Sequence, residues 1–176
     1  MLVFINMRKV YYTKKKQPIL ASGIIPIYQD NLILQYEYKE RANTCYLVDF
    51  GGKIDLTDSS PFKSAIRELI EETNGYLFNQ IHNEEINDDI KKYYSNNFSV
   101  IKKPIYIEKS KYMLYFVEID EDTFNKFLHL TEKFNELATE GLSHQIVVKQ
   151  KIADDSIKLH PRLESFINNN LVKDFI

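Results

Sequence analysis

A single cysteine, Cys45, among 176 residues excludes an internal disulfide framework and a cysteine-rich zinc module. A reducing compartment, and hence a cytoplasmic location, is the expectation. Tryptophan is absent and glycine is scarce, at five residues. Any clustering of those glycines therefore carries information. No apolar run approaches the roughly 20 residues that cross a bilayer, so no membrane association is expected. The N-terminal MLVFINMRKVYYTKKK places its basic residues after its short apolar stretch, the reverse of a secretory signal. Excess charge is missing too. Lys and Arg total 23 against 25 Asp and Glu, a net charge of −2, which argues against a wholesale polyanion binder while leaving room for a local basic patch.

What is present is ordinary for a soluble domain: 44% hydrophobic and 27% charged residues, with 12 tyrosines and 11 phenylalanines. The length suits one domain over residues 1–176, with 1–21 as a lead-in segment carrying Lys14-Lys15-Lys16. From Ile24 to Tyr38 two β-rich runs flank Gln29-Asp30-Asn31, a hairpin signal. A third run, Cys45 to Phe50, is expected to stop at a Gly51-Gly52 turn.

A helix follows, capped by Ser59 or Ser60, with Pro61 in its first turn, where a missing N–H costs nothing. Phe62, Ala65, Ile66, Leu69 and Ile70 give it an apolar stripe, and Asn74-Gly75 is the expected stop. Further on, residues 83–95 suggest a polar helix, and Pro104–Glu108 and Tyr112–Ile119 suggest strands. An amphipathic helix is expected over Glu121–Leu137 through Phe124, Phe127, Leu128, Phe134 and Leu137. A short strand at Gln145–Lys149 and a helix at Pro161–Leu171 complete the reading. Strands on both sides of a central helix indicate a mixed α/β domain.

Glu68, Glu71 and Glu72 stand at i, i+3 and i+4 on the central helix, so their carboxylates leave one face. Like charges at this spacing repel, and a hard divalent cation such as Mg²⁺ or Mn²⁺ turns the repulsion into a binding site. Arg-Glu-Leu-Ile-Glu-Glu alone is a common surface string. Its surroundings single it out, because three of the five glycines (Gly51, Gly52, Gly75) bracket this one helix.

The segment GGKIDLTDSSPFKSAIRELIEETNGY resembles the box of the Nudix hydrolase family. That box is glycine, five residues, glutamate, seven residues, then Arg-Glu-aliphatic-x-Glu-Glu-x-Gly-aliphatic. Gly52 matches, Asp58 stands in the glutamate position, and Arg67-Glu68-Leu69-Ile70-Glu71-Glu72 matches throughout. One extra residue precedes the helix, one precedes Gly75, and Tyr76 replaces the final aliphatic. The resemblance implies an α/β/α sandwich with a mixed sheet, Mg²⁺ or Mn²⁺ as cofactor, and attack of metal-activated water on a diphosphate linkage in a nucleoside diphosphate derivative. It implies that Glu68, Glu71, Glu72 and the Gly52 carbonyl hold metal, with Asp58 supporting the helix and its arginine or aiding the metal. Arg67 is implied to orient a glutamate. A further carboxylate is implied from a loop before a late strand, best matched by Glu140, with Glu136 as the fallback.

Around this core, Arg41, Lys53, Tyr115 and His144 are candidate substrate contacts. Cys45 and the scattered His82, His129 and His160 show no ligand spacing. GGKID, a displaced acid and RELIEE also resemble viral mRNA-decapping Nudix proteins, which makes capped RNA an alternative substrate. A nucleotide-binding module without catalysis is a third reading. A homodimer is compatible with all three.

Overall fold

The computed structural model describes residues 9–29, 31–39, 44–73, 98–100, 103–138, 145–150 and 159–167. Two short strands, β1 (Tyr11–Tyr12) and β2 (Pro18–Ile19), pair antiparallel as a hairpin. This hairpin lies within the expected lead-in segment. β3 (Ala21–Tyr28) and β4 (Asn31–Lys39) form the expected hairpin, with Tyr28 opposite Asn31. At its turn Gln29 takes the left-handed conformation (φ 49°), while Asn31 belongs to the strand and its amide donates to the Tyr28 carbonyl.

β3 and β4 then separate. β5 (Thr44–Val48) pairs with β4 at residues 35–39, and β6 (Phe50–Lys53) pairs with β3 at residues 21–24. The expected turn at Gly51-Gly52 is therefore corrected: the strand continues through both glycines. Close packing on neighbouring backbone requires the first of them. A Cβ at Gly51 would lie 2.5 Å from Gly23 Cα and from the Ser22 carbonyl oxygen.

α1 spans Pro61–Glu72. Ser60 is its N-cap, with its Oγ accepting from the Lys63 N–H at 3.1 Å. The helix closes at Thr73, whose hydroxyl donates to the Leu69 carbonyl at 2.7 Å. The expected Asn74-Gly75 stop and the 83–95 helix lie outside the described residues.

β7 (Ser99–Val100) and β8 (Ile105–Ile107) pair antiparallel with β9 (Tyr112–Glu118), and β9 runs parallel to β3. After α2 (Glu121–Ala138), β10 (Gln145–Gln150) adds to the outer edge of β4. α3 spans Pro161–Ile167.

Side chains alternate across the strands, so the sheet has two apolar faces. On one, Ile24, Ile33 and Phe50 pack with Ala65, Ile66, Leu69 and Ile70 of α1 and with Phe127 and Leu130 of α2. On the other, Ile25, Leu34, Leu47, Leu114 and Phe116 pack with Leu163 of α3. The result is the expected α/β/α layering around a mixed sheet. Among the described side chains of α2, Leu128 departs from the expected stripe and is exposed, and Leu130 takes its place in the core. Among the described residues no helix is long and apolar enough to cross a membrane.

Candidate active site

α1 lies over β3 and β6 with its acidic edge beside the two glycines. The Gly51 N–H donates to Glu72 Oε2 at 2.9 Å. A Cβ at Gly52 would meet the Glu68 carboxyl group at 2.5–2.6 Å, so this carboxylate occupies the space that a side chain would fill. Strand and helix thus bring Gly52, Glu68 and Glu72 together.

Arg67 organises the remaining acids. Its Nε and Nη2 donate to the two Asp58 oxygens at 3.1 Å each, a bidentate pair, and Nη2 also reaches the Lys53 carbonyl at 3.0 Å. Nη1 lies 2.9 Å from Glu68 Oε1 and 2.9 Å from Glu71 Oε2. Asp58 additionally accepts from the Asp55 N–H at 2.8 Å. Burial pushes the Asp58 carboxyl up, but Arg67 and the Asp55 N–H outweigh it and leave it below the ordinary range. Burial works against the Arg67 charge, yet Asp58 and the two glutamates keep it a permanent cation. In this structure the shortened acid at position 58 is a partner of arginine.

The glutamates facing the glycines are in the opposite condition. Burial pushes the Glu72 carboxyl up to about 8, assisted by the charge of Glu68 and opposed by the Gln35 amide and the Gly51 N–H. Burial also raises Glu68, with Arg67 opposing it and the charges of Glu71 and Asp58 adding to it. Glu71 is the most open of the set, with 47% of its side chain exposed.

Among the described residues, as their side chains stand, no three acidic, histidine or cysteine groups form a cluster able to hold a metal ion. Glu68 and Glu71 are instead turned onto Arg67. The donor chemistry nevertheless fits a hard cation: half-buried carboxylates whose ionised forms repel each other beside a glycine backbone. Two buried polar atoms have no hydrogen-bond partner among the described residues, Ser22 Oγ and Gln35 Oε1. Ser22 is the cross-strand partner of Gly52, and the Gln35 amide meets Glu72. Unsatisfied polar groups thus border the same spot.

Sequence reasoning missed a cluster behind β6. Asp49 is fully buried and accepts from the Tyr112 hydroxyl at 2.6 Å and from Arg162 Nε at 2.8 Å. Arg162 Nη2 is 2.7 Å from the same carboxylate, and its guanidinium lies 4.8 Å from the Tyr112 ring centroid. The space beside Gly23 and Gly51 is filled by the Tyr112 hydroxyl. This ion pair joins α3 to the strand that presents the glycines. Burial, reinforced by the Asp49 charge, holds the Tyr112 hydroxyl far above its usual pKa. Nothing in the spacing of Asp49 and Arg162 signals the pairing.

Of the other candidates, Lys53 is exposed and directly follows Gly52. Tyr115 is 9% exposed, with its ring 5.0 Å from Phe62 in the core beneath α1, and burial pushes its hydroxyl up to about 12. Glu136 lies within α2. Arg41, Glu140 and His144 lie outside the described residues.

No protein-family model matches the chain, and no curated protein matches its sequence. Among solved structures, the chain is similar to the crystal structure of an ADP compounds hydrolase. The match has 24% sequence identity over 56% of this chain and 42% of that one, with a TM-score of 0.29. The chain thus spans less than half the length of that protein.

Proposed function

We propose that the protein is a Nudix-type pyrophosphohydrolase that cleaves a diphosphate linkage in a nucleoside diphosphate derivative with Mg²⁺ or Mn²⁺. One observation carries the reading. Of the three carboxylates that the box assigns to metal, two, Glu68 and Glu72, are pressed by the fold against Gly52 and Gly51.

In this reading Glu68, Glu72 and the Gly52 carbonyl hold the cation, with Glu71 at the open side and Glu140 as a further ligand. Bound Mg²⁺ or Mn²⁺ lowers the pKa of a coordinated water and neutralises phosphate charge. The chain's own groups set the geometry. The Gly51 N–H fixes one Glu72 oxygen, Arg67 holds Glu68 and Glu71, and Asp58 holds Arg67. Lys53, with Arg41 and His144 as further candidates, offers charge or hydrogen bonds to the phosphates. Water adds to phosphorus, the bridging P–O bond breaks, and the departing phosphate carries away its electron pair. The proton released by water passes to solvent.

The test is a panel of nucleotide sugars, dinucleoside polyphosphates, nucleoside triphosphates and capped RNA, each incubated with purified protein and Mn²⁺. Turnover of small nucleotides is the expected result, and Glu72→Gln should lower kcat by orders of magnitude in a protein that stays folded. Release of m7GDP from capped RNA alone would move the assignment to decapping. Tight nucleotide binding without any turnover would leave a binding module and overturn the enzymatic reading.

A further inference from the structure

We propose that the end of the sheet beside Lys53 is a docking surface for single-stranded RNA, built mainly by the β1–β2 hairpin. The sequence spreads its lysines over a hundred positions, and the fold gathers a group of them. Lys14, Lys15 and Lys16 form the hairpin turn, all exposed. The turn is closed by Thr13, whose N–H donates to the Gln17 carbonyl at 2.9 Å and whose carbonyl accepts from the Lys16 N–H at 2.9 Å.

The hairpin is fastened on two sides. The Tyr11 hydroxyl and Lys9 Nζ both donate to the Asp58 carbonyl, at 2.7 and 2.8 Å. The Tyr106 hydroxyl donates to the Pro18 carbonyl at 2.9 Å, and the Leu20 N–H to the Lys111 carbonyl at 2.9 Å. The lysine turn therefore shares one end of the sheet with exposed Lys53 on β6 and with exposed Lys109 and Lys111 in the turn between β8 and β9. The exposed acids on those same loops are Asp55 and Glu108, while Asp58 is committed to Arg67. On a chain of net charge −2, this is marked segregation of positive charge.

Tyr12, on β1 directly before the turn, is 65% exposed. An open aromatic ring among lysines suits an unpaired base stacked beside its phosphates. Continuity with Lys53, the residue after Gly52, favours a polynucleotide over an anionic membrane. RNA is the polynucleotide whose chain starts from a nucleoside triphosphate and so carries an anhydride at its 5′ end. The choice of RNA in this way rests on the hydrolase reading.

The full chain should be titrated by fluorescence anisotropy against a labelled single-stranded RNA of about 12 nucleotides, at about 50 mM KCl and upward. The probe has a 5′-hydroxyl and no anhydride, and EDTA is present, so binding is read independently of hydrolysis. Binding should weaken steeply with salt. The triple variant Lys14→Glu, Lys15→Glu, Lys16→Glu should bind at least tenfold more weakly, with a log–log salt slope smaller by about 2, since each lost single-strand contact removes about 0.7. Tyr12→Ala should weaken binding about fivefold or more through lost stacking. Both variants should keep wild-type turnover of small nucleotides. No binding by the wild type, wild-type affinity in both variants, or preferential binding to phosphatidylserine vesicles would overturn the proposal. RNA binding without nucleotide hydrolysis would instead overturn the hydrolase reading and leave the surface standing.

Discussion

Gly52 and Glu72 show how single residues set the chemistry. The atoms that a Cβ at Gly52 would strike are the far end of the flexible Glu68 side chain. Gly52→Ala should therefore leave the fold nearly as stable as before while displacing Glu68 and abolishing most activity. Thermal melts paired with kcat measurements check this, and full activity in the variant would remove Glu68 from the site. Gly51→Ala should instead disrupt folding, because its Cβ meets backbone.

Glu72 makes a separate prediction about pH. Its carboxyl titrates near 8 in the fold against an ordinary 4.5, so between those values the unfolded chain has released a proton that the folded chain retains. Stability of the metal-free protein should fall as pH rises through that window. Glu72→Gln should remove much of the slope, and Mn²⁺ should restore more stability at pH 8 than at pH 5. Parallel melting profiles for wild type and variant would contradict the assignment.

At the scale of elements, the unit of interest is α1 seated on β6, and much of it is legible in the sequence. The Ser60 cap, the Pro61 start, the apolar stripe and the acidic edge are local signals within one helix, and all appear as read. The β3–β4 hairpin is legible for the same reason. Gly51-Gly52 reads locally as a turn, but what demands these glycines is tertiary: the Gly23 and Ser22 backbone and the Tyr112 hydroxyl on one side, the Glu68 carboxylate on the other. The Asp49–Arg162 pair was invisible because its members stand 113 positions apart. That pair should be the firmest tie between α3 and the sheet. Arg162→Met leaves a fully buried Asp49 without its counter-ion, and a loss of about 3–5 kcal/mol in urea unfolding is expected. A loss below about 1 kcal/mol would show that Asp49 finds compensation elsewhere.

Across the whole molecule, a near-neutral charge total conceals two opposed regions. Half-buried acids gather where α1 meets β6, and exposed lysines gather at the adjoining end of the sheet. The net charge in the sequence could not show this, because hydrogen bonds 47 to 49 positions long carry the lysine hairpin to its place. Both regions suit a phosphate-rich ligand, but only the first defines the proposed chemistry. The most direct measurement of the central claim is Mn²⁺ binding followed by electron paramagnetic resonance in wild type, Glu68→Gln and Glu72→Gln. Wild type should deplete the free Mn²⁺ signal and each variant should largely fail to do so, with all three proteins folded. Equal Mn²⁺ uptake by all three, or none by the wild type, would contradict a metal site built on these glutamates.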